Sequence, residues 1–91
     1  MERVLKLPVN EYWYNLIVSG RLSSDYREIK PYWIKRLENK EYDVVEFYHR
    51  FNKNIKPIRY KFECIQKGKL CDVNYNKNVY VIKFGEKIEE I

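Results

Sequence analysis

Hydrophobic residues recur at every second position in the second half of the chain. Between residues 58 and 64 apolar side chains alternate with Arg59, Lys61 and Glu63, and residues 80–84 repeat the pattern. A period of two is typical of strands with one buried face. Residues 42–48, which are rich in β-branched and aromatic side chains, predict a further strand. The second half therefore predicts three consecutive strands.

Polar segments separate these three strands. Residues 51–57 predict a loop, Lys67-Gly68-Lys69 predicts a turn, and residues 74–78, rich in asparagine, predict a second loop. Gly85 is expected to end the last strand or to form a bulge in it.

The first half carries a helical period. Residues 4–7 predict a short strand ended by Pro8, and residues 11–19 predict a helix capped by Asn10 and ended by Gly20. A spacing of three and four residues places one set of side chains on the inner face of this helix: Trp13, Leu16 and Ile17.

A second strand and a second helix follow. Residues 24–29 predict an extended segment, and Lys30 before Pro31 favours the same geometry. Pro31 then suits the first position of a shorter helix. The face of that helix expected to be apolar consists of Trp33, Ile34 and Leu37.

These elements predict an α+β fold in one domain, residues 1–91: a small, partly closed five-stranded β-barrel with two short helices in its N-terminal half. The chain contains no Ala, the best helix former, which disfavours a helical bundle. The N-terminal segment is not typical of a signal peptide, and no stretch is apolar enough to span a membrane. We therefore expect a cytoplasmic protein with no membrane partner.

Positive charge is concentrated in one stretch. Residues 50–69 hold seven basic residues against Glu63 alone, a net charge of +6, whereas the whole chain has +5. A one-sided basic surface attracts phosphates. Lysines also keep a strand face solvated, so charge alone leaves both interpretations open.

The residue types exclude several chemistries. The chain has no Thr, and its three glycines are isolated, so no glycine-rich phosphate loop exists. His49, the single histidine, follows a strand beside Arg50 and is expected at a loop edge. Cys64 and Cys71 with His49 could supply at most three soft ligands, short of a closed zinc site. The sequence predicts reduced thiols, no metal, no cofactor and no catalytic residue.

Residues 19–37 carry the most informative pattern. Basic and aromatic side chains alternate there, and Asp25, two residues before Arg27, would share its strand face. Arginine forks can hold phosphate or a base edge, and aromatic faces can stack a base. The alternative is a core Trp33 and an ordinary surface ion pair, which would contribute little.

The run D-Y-R-E-I-K-P-Y-W-I-K-R-L, with the opening V-L-K-L-P-V and the strands Y-D-V-V-E-F and V-Y-V-I-K-F-G, resembles the ASCH domain family. The similarity covers most of the chain and is greatest for small members from phages and mobile elements. The hallmark of the family is GxKxxExR. Gly20 and Arg27 match it, Leu22 stands in place of lysine, and Asp25 replaces glutamate.

The resemblance implies a PUA-like β-barrel that binds RNA or other nucleic acid in a cleft beside the barrel. Some members are amidohydrolases on acetylated cytidine and use the motif lysine with a threonine and a glutamate. Leu22 and the absence of Thr argue against that activity, and Arg21 cannot act as a base because its guanidinium stays protonated. A ribonuclease activity, associated with some members, stays open.

The leading hypothesis is a module that binds RNA, or a single-stranded or modified base, rather than duplex DNA. The alternatives are a phage-type inhibitor that binds a host protein such as a defence nuclease, and a modified-nucleoside hydrolase. On the leading hypothesis, Arg27→Ala abolishes binding with little loss of stability. The predicted binding residues are Arg21, Asp25, Arg27, Lys30, Tyr32, Lys35, Arg36, Arg50, Lys53, Lys56, Arg59 and Lys61.

Overall fold

A computed structural model describes residues 2–72 and 75–88, with the backbone alone for residues 70–72, 75 and 76. The elements are β1 (Val4–Val9), α1 (Glu11–Val18), β2 (Ser24–Glu28), α2 (Pro31–Leu37), β3 (Val44–His49), β4 (Ile58–Asp72) and β5 (Tyr75–Lys87). The predicted order of strands and helices is confirmed. Asn74, assigned to a loop from the sequence, and the side chain of Cys71 lie outside the described residues.

The five strands form one mixed sheet in the order β1-β3-β4-β5-β2. β3, β4 and β5 are antiparallel neighbours, which confirms the predicted meander, while β1 is parallel to β3 and β2 is antiparallel to β5. β1 and β2 are therefore the two edge strands. In the described part of the chain no backbone ladder joins them, so the structure shows an open sheet rather than a closed barrel.

The core lies on one face of this sheet. Its strand residues alternate in sequence, and Ile17 of α1 and Leu37 of α2 pack among them, so both helices cover the same face. At its centre the Phe47 ring lies 5.0 Å from Phe84 and 5.9 Å from Tyr60, in edge-to-face contacts. The strand residues of the core are Leu5, Leu7, Val9, Val45, Phe47, Tyr60, Tyr80, Ile82 and Phe84.

The predicted helix signals are confirmed. Asn10 Oδ1 accepts a hydrogen bond from the Trp13 backbone N–H at 3.0 Å, and Gly20 follows α1 with a φ of 79°. That φ lies in the left-handed region that glycine adopts most easily. Pro31 stands at the start of α2. Neither helix described is long and apolar enough to cross a membrane.

The predicted turn at Lys67–Lys69 is wrong, because β4 continues through it to Asp72. Gly68 serves close packing instead: a Cβ atom there would lie 3.2 Å from Cγ2 of Val81. Residues 75–78 likewise belong to β5 and not to a loop. β5 continues past Gly85, so this glycine does not end the strand. The register between β4 and β5 shifts there, since Phe62 pairs with Phe84 but Tyr60 pairs with Lys87, as expected of a bulge.

Three other predictions are corrected. Pro8 does not end β1, which continues to Val9; an edge strand tolerates a residue without an N–H. Trp13 is exposed rather than inward, since Ile17 is the buried residue of α1 and Tyr14 is partly buried. Ile34 is also exposed, and Leu37 is the residue of α2 that enters the core.

Candidate functional site

A cleft of about 570 Å³ opens between the two edge strands of the sheet. The end of β1 and the start of α1 form one wall, β2 forms a second, and the segment after β3 closes a third. We refer to it below as the cleft. The residues that line it are Pro8, Val9, Asn10, Trp13, Ser24, Asp25, Tyr26, Arg27, Arg50 and Phe51.

Asp25 and Arg27 form the polar floor of the cleft. They lie opposite Ile82 and Tyr80 of β5, so both side chains point to the core face of the sheet. Nε of Arg27 donates to Oδ2 of Asp25 at 2.5 Å, and the side chains are only 15% and 11% exposed. The spacing of two residues thus pairs them, as the sequence predicts.

The same guanidinium reaches across to the other edge of the sheet. Nη2 of Arg27 donates to the Pro8 carbonyl at 2.9 Å, and Cζ lies 5.0 Å from the centre of the Trp33 ring. Arg27 therefore joins β2, β1 and α2. With contacts to three elements, Arg27 has a structural role in addition to any role in binding a ligand.

Burial raises the pKa of the Asp25 carboxyl, although the positive charge and hydrogen bond of Arg27 act in the opposite direction. Although the two groups are close, the hydration free energy that the buried Asp25 carboxylate loses exceeds what its interaction with one guanidinium returns. Oδ1 lies 3.4 Å from Nη2, a weak contact that leaves it able to accept another hydrogen bond.

Two exposed aromatic side chains, those of Trp13 and Phe51, stand among the residues that line the cleft. They are 42% and 78% exposed, respectively, whereas the exposed Tyr26 side chain alternates with the two floor residues and so points to the other face of β2. Arg50 stands beside Phe51, with its guanidinium carbon 5.5 Å from the centre of the Phe51 ring. Exposed rings beside a cation are the groups that stack nucleobases and neutralise phosphates.

His49 fixes the segment that carries Arg50 and Phe51. Its Nδ1 accepts hydrogen bonds from the backbone N–H groups of Phe51 at 3.3 Å and Asn52 at 3.1 Å. The Arg50 N–H donates to the Val9 carbonyl at 2.9 Å, which ties the same segment to β1. Phe51 is thus exposed on a positioned backbone.

The structure brings Asp25, Arg27 and Arg50 of the predicted residues to the cleft. Arg21 is exposed before β2, and Lys53 and Lys56 lie in the segment between β3 and β4. Lys30 pairs with Glu28 at 3.1 Å. The remaining residues of the first predicted cluster, Tyr32, Lys35 and Arg36, lie along α2.

The basic stretch of residues 50–69 does not form one positive surface. Arg59 donates to Glu46 at 2.9 Å and lies 3.3 Å from Glu2, and Lys61 lies 3.8 Å from Glu86. Lys67 pairs with Glu38 at 2.6 Å. Carboxylates that are distant in sequence therefore offset much of the net charge counted along the chain.

Sequence reasoning missed Trp13 and Phe51 as residues of the site. Trp13 has the spacing of a core residue. Phe51 gave a usable signal, because a large apolar side chain stands next to arginine in an otherwise polar loop.

At Leu22, the position where the motif GxKxxExR has lysine, the chain supplies no amine to the cleft. Leu22 packs against the core instead, beside the start of β2. Among the described residues, no three Asp, Glu, His or Cys side chains come together as metal ligands.

No protein-family model matches this chain, and no curated protein or solved structure matches it. The resemblance to the ASCH family therefore stays a prediction from the sequence.

Proposed function

We propose that this chain binds single-stranded nucleic acid, RNA in preference to duplex DNA, in the cleft between its edge strands. The observation that carries the proposal is the convergence of the exposed Trp13 and Phe51 side chains with Arg50 at the cleft. Each base has a flat face, so exposed rings can stack bases without requiring one sequence. A base within a duplex has no free face to offer them.

The floor of the cleft supports recognition of an unstacked base. Asp25 Oδ1 is an acceptor beside the rings, and Arg27 holds that carboxylate in place. The N3–H of uracil, or an exocyclic amine of another base, would donate to Oδ1 while the ring stacks above. On this proposal Arg27 positions Asp25, and Arg50 neutralises a phosphate at the rim.

We include in the proposal the finer fold that the resemblance implies, a partly closed PUA-like barrel in which side chains rather than a backbone ladder span the gap between β1 and β2. In support, β1 and β2 approach each other closely enough for Arg27 to reach Pro8. A PUA-like domain of the ASCH type would have its ligand cleft beside the barrel, where the aromatic rings stand here.

The test is fluorescence anisotropy with a labelled oligouridylate at low salt. Phe51→Ala and Trp13→Ala should each weaken binding by about tenfold, because stacking contributes about 1–3 kcal/mol per base. Tyr48→Ala is the matched control, since Tyr48 is also exposed but lies on the other face of β3. Absence of binding, or equal loss in all three variants, would overturn the proposal.

The same rings favour a second candidate, an inhibitor that binds a host protein. Exposed Trp, Tyr and Arg side chains are enriched at the centres of protein interfaces. A pull-down with sequencing of bound nucleic acid and mass spectrometry of bound protein separates the two. Recovery of one stoichiometric protein, with no nucleic acid, would favour the inhibitor.

A further inference from the structure

We propose that the bound strand leaves the cleft along α2 and that its phosphates enter a second, basic hollow at the end of this helix. This inference rests on the proposed function and extends the site from one base to several nucleotides. The hollow has a volume of about 570 Å³. We call it the basic hollow; it is lined by Arg3, Lys35, Arg36 and Lys40, with Glu41, Asn39 and Tyr42.

A row of contacting aromatic and cationic groups runs from the floor of the cleft to the basic hollow. From Arg27 on the floor of the cleft, the Trp33 ring is 5.0 Å away. The Tyr32 ring meets Trp33 edge-to-face at 4.8 Å, and the guanidinium carbon of Arg36 lies 3.6 Å from the centre of the Tyr32 ring. Each member contacts the next, so a strand following this row stays on aromatic and cationic groups.

Arg36 is held in position for this role. Its Nη1 donates to the Tyr32 carbonyl at 3.0 Å while the guanidinium plane covers the Tyr32 ring. Tyr42 fixes the helix end from the other side, since its hydroxyl donates to the Arg36 carbonyl at 2.5 Å. A positioned, exposed guanidinium loses little side-chain entropy when it binds a phosphate.

The charge of the basic hollow is positive. Four cations line it against Glu41 alone, and Asp43 outside it pairs with Arg3 at 3.5 Å. Lys35 and Lys40 form no ion pair with any residue that the structure describes. Two ammonium groups and Arg36 are therefore open to an anionic ligand.

A neighbouring hollow of similar volume is a poorer candidate. It is lined by Glu38, Lys67 and Tyr80, among others. There Lys67 and the Tyr80 hydroxyl already donate to Glu38, at 2.6 and 2.9 Å. A phosphate would have to displace a carboxylate, whereas the basic hollow offers cations without that competition.

The length of α2 sets the number of nucleotides that the proposed path can hold. Seven residues span about 10 Å at 1.5 Å per residue. Stacked nucleotides advance about 3.4 Å each along a strand, so the helix adds about three nucleotides to the one in the cleft. A ligand of four or more nucleotides should occupy both sites, and a dinucleotide only one.

The experiment compares a labelled dinucleotide with an octanucleotide, both oligouridylates, at several salt concentrations. In the wild type the octanucleotide should bind at least about tenfold tighter. Lys35→Gln with Lys40→Gln should weaken the octanucleotide about fivefold or more and the dinucleotide less than about twofold. The slope of log affinity against log salt should fall by about 1.4, for two lost phosphate contacts.

Lys6→Gln with Lys87→Gln is the matched control, because it removes the same charge from exposed lysines of β1 and β5 that line neither the cleft nor the basic hollow. Circular dichroism checks that each variant folds. Equal affinity for both oligonucleotides, or equal losses of affinity in the two double variants, would overturn the path along α2. Binding of the dinucleotide would in that case still support the cleft as the binding site. Loss of wild-type binding to both probes would overturn the proposed function as well. Competition by polyglutamate as strong as by RNA would assign the hollow to acidic protein surfaces instead.

Discussion

Nη2 of Arg27 lies 2.9 Å from the carbonyl oxygen of Pro8, across the gap between the two edge strands of the sheet. A side chain, rather than a backbone ladder, links β2 to β1 at this point. The same guanidinium pairs with Asp25, so one residue supports both the edges of the sheet and the floor of the cleft.

Arg27→Ala should lower the free energy of unfolding by about 3 kcal/mol, because it leaves a nearly buried carboxylate without its partner. This expectation replaces the small loss predicted from the sequence. Arg27→Lys should lose about 1–2 kcal/mol, since an ammonium cannot make both hydrogen bonds of the fork. Urea unfolding followed by tryptophan fluorescence measures both.

Two further variants complete this test. Asp25→Asn combined with Arg27→Ala should be more stable than Arg27→Ala alone, because the unpaired charge is gone. Lys53→Ala, in an exposed loop, should unfold at the wild-type urea concentration. If Arg27→Ala also unfolds there, the link to Pro8 contributes nothing to stability and Arg27 serves the ligand alone.

The two tryptophans should differ in their contribution to stability. Trp33 is partly buried against the core, so Trp33→Ala should cost about 2–3 kcal/mol, less than for a fully buried ring. Trp13 is exposed at the cleft, and Trp13→Ala should cost under about 1 kcal/mol. Thermal melts of both variants give the comparison, and the reverse order would place Trp13 in the core.

Acid should weaken the contact between α2 and the sheet at Glu38. Hydrogen bonds from Lys67 and then Tyr80 hold the pKa of this carboxyl below its ordinary value of 4.5. The folded state thus binds fewer protons than the unfolded state near that value. Its stabilisation is complete above pH 4.5 and is lost as the pH falls through the lowered folded pKa.

Glu38→Gln removes this titration, so the variant should lose less stability than the wild type between about pH 6 and pH 3. Chemical unfolding at each pH measures the difference. Asp25 acts with the opposite sign in both proteins, because its raised pKa favours the folded state in acid. Parallel pH profiles would contradict the assignment to Glu38.

The thiols should not crosslink within one chain. Cys64 and Cys71 both belong to β4, whose rise of about 3.3 Å per residue separates their Cα atoms by about 23 Å. A disulfide needs Cα atoms within about 7 Å. Cys71→Ser should leave the melting temperature unchanged with or without reductant; a loss confined to non-reducing buffer would indicate a crosslink between chains.

Local sequence signals predict the order of helices and strands in this fold. Features that depend on contacts between residues distant in sequence could not be predicted from these signals. Asn10, Gly20 and Pro31 act on their own neighbours, so the helix limits follow from sequence. Gly68 looked like a turn residue because its need for space comes from Val81, thirteen positions away. No local pattern contains that contact.

The same distinction applies to the candidate site. The pairing of Asp25 with Arg27 follows from strand periodicity, but the link from Arg27 to Pro8 depends on how the sheet curves. The partners of Arg59 are Glu46 and Glu2, both remote in sequence, so counting charges along the chain overestimated the basic surface. Phe51 gave a local signal beside Arg50, but its position at the cleft depends on the hydrogen bonds that its segment makes with His49 and Val9.

The pairing of the edge strands also sets the order in which the chain can fold during synthesis. β1 leaves the ribosome first, but its partner β3 follows only after α1, β2 and α2. β2 must wait longer, because it pairs with β5, the last strand. The antiparallel strands β3, β4 and β5 are joined by short connections and can pair early, whereas closing the longer loops costs entropy. β2, which carries Asp25 and Arg27, can therefore join the sheet only after β5 has been synthesised.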